Sequence, residues 1–372
     1  MKSNKNIFIG SLIVIAITAV ATFANYRNLP QQTASQETIR IGLDYALSGA
    51  ASIWAENGRK AAQMAADEIN AAGGVNGHKL ELVIEDSKTD PKSGIAAFDK
   101  LTSIDSIHIV LGDSWSFITN PLIPLADKTK TILISPTVMD ASVEGSSPYF
   151  FTLGHTVDSQ ENAVRKFFSS NPEIKTVYNV CWNDAWGTNH TALLHKIASE
   201  LGIRIAGETC TGDFGSNYRT EAAKVKASHA NAVFLTSTHE DDAVRALVDL
   251  HVPVKILTTT GMVEAVHARN FPLSYTKNLW FMDWVPNEGF MKKFHDKYGT
   301  YPIMEPQNHY EAVYAVAKAI EKNPNDVLAG LKQVKYSGAD GDIDFTGNPI
   351  RINKAEAKLY TFGANRELIE AK

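Results

Sequence analysis

IRIGLDYALSGAASIWAENGRKAAQMAADEINAAGGVNGHKLELVIE, residues 39–85, decides the architecture. Its first seven residues, Ile39–Tyr45, are an apolar β-rich run, and Leu80–Glu85 are another. Between them, Ala55–Ala72 is rich in Ala and carries Met64, Ala65 and Ile69 on one face. That segment stops at Gly73-Gly74, the glycine signal of a helix C-terminus. Strand, helix and strand in this order predict a parallel sheet crossed by helices.

The rhythm continues outward. Ile107–Leu111 and Thr131–Ser135 read as further strands, and Thr176–Cys181, Arg204–Thr209, Ala232–Thr236 and Val254–Thr258 as a second set. Helical patterns lie between and after them: Glu161–Ser169, Thr188–Leu201, Tyr218–His229, Asp241–His251, Glu288–Tyr298 and Gln307–Lys322. The chain has 372 residues, 44% hydrophobic and 21% charged. A single core rarely grows past about 250–300 residues, so two lobes are expected. The fold class is α/β, with two Rossmann-like lobes built on parallel sheets. The first lobe is expected over 39–155 plus 285–337, the second over 156–284 plus 338–372. Gly338–Gly347 and Lys358–Gly363 break the alternation and read as short strands around a Thr346-Gly347-Asn348-Pro349 turn.

The first 24 residues differ in kind. Lys2 and Lys5 precede an apolar run from Ile7 to Ala24, and Thr22 and Ala24 are small residues at a possible cleavage site. The pattern reads as a secretory signal; an uncleaved anchor helix is the alternative. Either places the folded part outside the cytoplasm, in the periplasm. Residues 25–38 are polar and read as a flexible tether. The two cysteines, Cys181 and Cys210, fall at the ends of consecutive strands. An even pair in an oxidising compartment suggests a disulfide, with two buried free thiols as the other reading.

Net charge is −5 and no Lys/Arg cluster occurs, which argues against nucleic acid. Gly73, Gly74 and Gly77 follow a helix and precede a strand, the wrong order for a phosphate-binding turn. No nucleophile motif is present, and the eleven His lack metal spacing, so neither a metal nor another cofactor is expected. His239-Glu240-Asp241-Asp242 fits an acidic helix N-terminus better than a metal patch.

The strand ends are the unusual feature. In open α/β sheets, ligands sit outside the carboxyl ends of the strands. Here those ends read Gly112-Asp113-Ser114-Trp115-Ser116, Ser135-Pro136-Thr137, Trp182-Asn183-Asp184-Ala185-Trp186-Gly187, Thr236-Ser237-Thr238 and Thr258-Thr259-Thr260-Gly261. Hydroxyls and free N–H groups bind ligand oxygens, and aromatics supply rigid apolar area. Trp54, Trp115, Trp182 and Trp186 are all expected in loops at this edge.

Taken together, the residues resemble the branched-chain amino-acid-binding family, the type I solute-binding proteins of ABC importers. The resemblance runs over about residues 39–365. It rests on Ile41-Gly42-Leu43, Leu47-Ser48-Gly49, Asn70–Gly77, Glu85-Asp86-Ser87 with Asp90-Pro91, Ile134-Ser135-Pro136, Asp158-Ser159-Gln160, Asp184-Ala185-Trp186-Gly187 and His309–Val313. It implies a Venus-flytrap fold, a monomer without catalytic residues, a small-molecule ligand between the lobes, and a membrane permease as partner. A sensor ectodomain feeding a signalling protein is the alternative. By the resemblance, Ser116 grips a ligand carboxylate, the Thr137 carbonyl meets an ammonium, and Trp54 and Trp186 line opposite sides of the cleft. Met139, Thr238 and Thr260 depart from the family pattern, which places a Thr, an aromatic residue and a Glu there. The expected ligand is a small polar or aromatic solute, amino-acid-like, amide or carboxylate, and within that class an acid, amide or aromatic compound without a free α-amino group, unless Glu240, Asp113 or Asp184 restores the missing charge.

Overall fold

The computed structural model describes residues 38–137, 143, 145–212, 217–303, 305–339, 341–347 and 355–371. The signal or anchor, nearly all of the tether, Met139 and the Asn348-Pro349 turn lie outside them.

The first lobe is built on strands β1 (Ile39–Tyr45), β2 (Leu80–Asp86), β3 (Ile109–Leu111), β4 (Ile132–Ser135) and β5 (Phe150–Thr152). They form one sheet in the order β2-β1-β3-β4-β5, and every neighbouring pair is parallel. Helix α1 (Ser52–Ala71) makes the first crossover. It ends where Gly73 and Gly74 take positive φ, and a side chain on Gly74 would collide with the His78 carbonyl. Helix α2 (Pro91–Asp99) starts on Asp90, whose carboxylate accepts from the Ser93 N–H, with Pro91 in the first turn. Helix α3 (Ile123–Thr129) precedes β4.

The second lobe repeats the winding. Strands β6 (Thr176–Trp182), β7 (Arg204–Thr211), β8 (Ala232–Thr236), β9 (Lys255–Thr258) and β10 (Leu279–Asp283) run parallel. Helices α4 (Glu161–Ser169), α5 (Ala185–Leu201), α6 (Arg219–Ser228), α7 (Glu240–Asp249) and α8 (Gly261–His267) join and flank them. Helices α9 (Glu288–Tyr298) and α10 (Pro306–Lys322) return to the first lobe, where α10 packs on α1. A hairpin of β11 (Lys335–Gly338) and β12 (Gly341–Asp344) follows. Strand β13 (Lys358–Phe362) then adds antiparallel to β10, and β14 (Leu368–Glu370) antiparallel to β13, giving the order β14-β13-β10-β9-β8-β6-β7.

One expectation is corrected here. Residues 338–347 were assigned to the second lobe, but they pack in the first. Ala339, Ile343 and Phe345 are buried in the core that holds Ile41, Leu43 and Phe151, and the Phe345 ring meets Phe151 edge-on at 5.0 Å. The hairpin follows α10 in the first lobe, and its apolar face closes over that lobe's core.

In both sheets the chain reverses its direction of strand addition beside the first strand of the lobe. Those switch points, β1/β3 and β6/β8, face the interlobe cleft. Open α/β sheets bind ligands at such points.

Candidate functional site

A cavity of about 810 Å³, counting its open mouth, lies between the lobes. The first lobe contributes Trp54, Ser114, Trp115, Ser116 and Thr137. The second contributes Trp182, Asp184, Trp186, Ser237, Thr238, Thr259, Thr260 and Gly261, while Gln160, Trp284 and Glu305 come from near the crossing segments. Apart from the conditional charge suppliers Glu240 and Asp113, the ligand-contacting residues expected from the sequence and described in the structure lie on one cavity: Trp54, Trp115, Ser116, Thr137, Trp186, Thr238 and Thr260. Met139 lies outside the described residues.

The tryptophans sit less in loops than expected. Trp54 is in the first turn of α1, Trp182 is the last residue of β6, and Trp186 is in the first turn of α5. Their placement follows from the caps. Asp184 starts α5 by accepting from the Gly187 N–H at 2.8 Å, so the chain turns sharply between Trp182 and Trp186. Only Gly fits at 187, because a Cβ there would lie 1.9 Å from the Trp182 carbonyl oxygen.

The lobes meet across the mouth. Trp115 and Phe117 of the first lobe meet the Trp182 ring edge-on, with centroids 5.5 and 5.9 Å apart. Trp54 packs on Trp115 at 4.6 Å, and its indole N–H donates to Glu264 on α8 of the second lobe. Glu264 is buried, which holds its carboxyl above the usual range, and Arg269 lies 3.2 Å from its other oxygen. The remaining aromatic walls are braced from behind. Trp284 stacks on His155 at 4.4 Å, and Trp186 lies 4.5 Å from His190. His190 is held neutral, its pKa lowered to about 4 by burial, and it joins the Trp186 carbonyl to the Gln160 side chain at 2.8 and 2.7 Å.

Charge in the wall is one-sided. Asp184 and Glu305 line the cavity, and no Lys or Arg does among the described residues. Glu305 accepts from the Asn308 side chain at 3.0 Å and lies 3.6 Å from His155. Glu240, one residue expected to be able to restore a charge, is not in the wall. It is buried behind Thr259 and accepts from the Thr259 N–H and hydroxyl at 2.9 and 2.6 Å. Burial pushes its carboxyl up to about 8, so it is mostly protonated at neutral pH. Asp113 is also buried away from the cavity, taking N–H bonds from Ala46 and Trp115, with its carboxyl pushed up to about 7 by burial.

Sequence reasoning missed Trp284 and Glu305 altogether. Trp284 follows β10, a strand not anticipated. Glu305 stands just before Pro306 at the start of α10, where the only local signal was the helix-starting Pro.

The match to a family model decides the family: the description is periplasmic binding protein, and the match covers residues 38–365. The chain belongs to the periplasmic binding protein family. This is a family of solute-binding proteins rather than enzymes. A similar curated relative is the leucine-, isoleucine-, valine-, threonine- and alanine-binding protein of Pseudomonas aeruginosa, 24% identical over 89% of this chain and 90% of its own. Among solved structures, the chain resembles the branched-chain amino acid transporter binding protein LivJ of Streptococcus pneumoniae with isoleucine (TM-score 0.77, 20% identity, 90% of this chain and all of that one). It also resembles a solute-binding protein of an ABC transporter from R. palustris with benzoate (TM-score 0.79, 13% identity, 90% and 95% covered). Among the described residues, no helix is long and apolar enough to cross a membrane.

For this binding protein, Trp54→Ala and Trp186→Ala are each expected to weaken solute binding by about 2 kcal/mol, as buried aromatic anchors do. Tryptophan fluorescence titration reads both. Unchanged affinity in both variants would make these rings packing residues and move the site elsewhere.

Proposed function

We propose that the chain is the extracytoplasmic ligand-binding subunit of an ABC importer, and that it captures a small amino-acid-like solute for a membrane permease. The single observation behind the ligand class is the pairing of Asp184 and Glu305 with a hydroxyl-rich wall and no basic side chain among the described lining residues. Desolvating an unpaired ion costs several kcal/mol. A simple carboxylate such as benzoate would enter beside two acids without a cation to balance it. A zwitterion meets both halves: its carboxylate faces Ser116 and neighbouring N–H groups, and its ammonium faces the acids. The expectation of a solute lacking an α-amino group, drawn from Met139, Thr238 and Thr260, is set aside on this ground, since Glu305 supplies a carboxylate the strand ends did not reveal. The name of the Pseudomonas aeruginosa relative, an amino-acid-binding protein, points the same way.

Calorimetry with leucine, isoleucine, valine, threonine, alanine and benzoate tests the ligand class. At least one amino acid should bind at micromolar affinity and exceed benzoate by tenfold or more; tighter binding of benzoate would overturn the amino-acid reading. The lobes should close on the bound amino acid as rigid bodies. Small-angle scattering should then show a smaller radius of gyration at saturation, and an unchanged radius would count against hinge capture. Uptake of the same amino acid by the host should fall when the chain is deleted.

A further inference from the structure

Ser114 is the third residue of the run after β3 and lines the cavity, yet its hydroxyl does not face the solute alone. Its Oγ lies 3.0 Å from Nε2 of His309 on α10. The other ring nitrogen, Nδ1, lies 2.5 Å from the Tyr45 hydroxyl at the end of β1. Both His309 and Tyr45 are buried, and their rings meet edge-on at 5.0 Å. The ring fits only because residue 58 of α1 is Gly, where a Cβ would lie 2.5 Å from the imidazole.

Burial lowers the His309 pKa to about 3 and raises that of Tyr45 far above its ordinary value. The imidazole is therefore neutral, with one proton to place, and the phenol keeps its own. Among the described residues, His309 Nδ1 is the partner that the Tyr45 hydroxyl meets. If Nδ1 carried the ring proton, the phenolic proton would be buried without an acceptor, which is costly. Tyr45 therefore donates to Nδ1, the ring proton sits on Nε2, and Nε2–H donates to Ser114. With its oxygen accepting from His309, the Ser114 hydroxyl keeps its own proton available for a solute in the cavity.

We propose that Tyr45 and His309 form a relay that makes Ser114 a hydrogen-bond donor toward the solute, so that this position of the wall favours a carboxylate or carbonyl oxygen. The relay rests on the solute-site reading above and adds to it a polarity at one position. Ser114 is the contacting residue; Tyr45 and His309 are positioning residues.

Long-range proton–nitrogen correlation spectra of protein labelled in its histidines test the tautomer directly, without any solute. The expected pattern is Nε2–H with Nδ1 as acceptor throughout pH 5–8. Tyr45→Phe should shift the Nδ1 resonance as its hydrogen bond is lost. An Nδ1–H tautomer, or an imidazolium, in the unaltered protein would overturn the relay. The second arm uses L-leucine as the probe in a double-mutant cycle. Ser114→Ala should weaken leucine binding about 10-fold, Tyr45→Phe about 3-fold, and the double variant no more than Ser114→Ala alone. Losses that multiply would show Tyr45 acting independently of Ser114, and the relay would fall. If leucine does not bind at all, the amino-acid reading suffers while the spectra still decide the tautomer.

Discussion

Replacing Glu240 by Gln is expected to make the folded protein more stable at pH 9 and to leave it nearly unchanged at pH 4.5. Glu240 is the first residue of α7, and burial behind the Thr259–Gly261 wall raises its carboxyl from 4.5 to about 8. In the unfolded chain the same group titrates near its ordinary value. The folded state thus binds the proton more tightly than the unfolded state does. Its contribution to stability is full below about pH 4.5 and is lost as pH rises through about 8. The difference between 4.5 and 8, at about 1.4 kcal/mol per unit, gives a loss of roughly 5 kcal/mol by pH 9. Gln keeps a neutral polar head and does not titrate, so the variant escapes that loss. Asp113, raised to about 7, titrates in both proteins and cancels in the comparison. Denaturant midpoints at pH 4.5, 7 and 9 measure it. Parallel pH profiles for the two proteins would mean that Glu240 is solvated or ionised in the fold.

The same residue shows where sequence reasoning stops. Glu240 read as the start of an acidic helix, and it is one. That its carboxylate faces Thr259, 19 residues later, depends on β9 lying beside β8, which only the assembled sheet provides. Periodic segments were legible: Glu161–Ser169 and Glu288–Tyr298 are helices over the anticipated bounds, because their apolar faces repeat at helical spacing. Leu279–Asp283 was not anticipated: like other interior strands it shows no alternation, and here the run Leu279-Trp280-Phe281-Met282-Asp283 lacks the β-branched residues that mark Ala232–Thr236 and Val254–Thr258. Trp284 was lost with it. The stretches after β3 and around the end of β6 carried Trp115, Trp182, Trp186 and Asp184 in plain view, since aromatic and hydroxyl residues cluster there against the local apolar background. Glu305 had no such context. It reaches the cavity because the loop between α9 and α10 comes back to the cleft just before Pro306, and composition says nothing about where such a loop runs.

Loss of the Cys181–Cys210 bridge is expected to cost about 3–4 kcal/mol of stability. The two residues are register partners on adjacent parallel strands, β6 and β7, with Cα atoms 4.3 Å apart, and they are disulfide-bonded. The bridge spans 29 residues of chain, including all of α5. Closing a loop of that length removes conformational entropy from the unfolded chain, and the chain-entropy relation gives the magnitude stated. The Cys181→Ser, Cys210→Ser double variant should therefore unfold at lower denaturant concentration with a similar slope, and the unaltered protein should expose no reactive thiol when denatured without reductant. Solute affinity should change much less than stability. Cys181 directly precedes Trp182, but the strand end has other ties: Asn183 N–H donates to the Thr211 carbonyl at 2.8 Å, and the Trp182 ring is held between Trp115 and Phe117. β7 is the edge of its sheet, so the bridge fastens a strand with a neighbour on one side only. A double variant as stable as the parent, or two free thiols in the oxidised protein, would show that the ladder between β6 and β7 holds that edge unaided. A large fall in affinity at unchanged stability would instead place the bridge in the binding site itself, with Trp182 positioned by the bridge rather than by its aromatic neighbours.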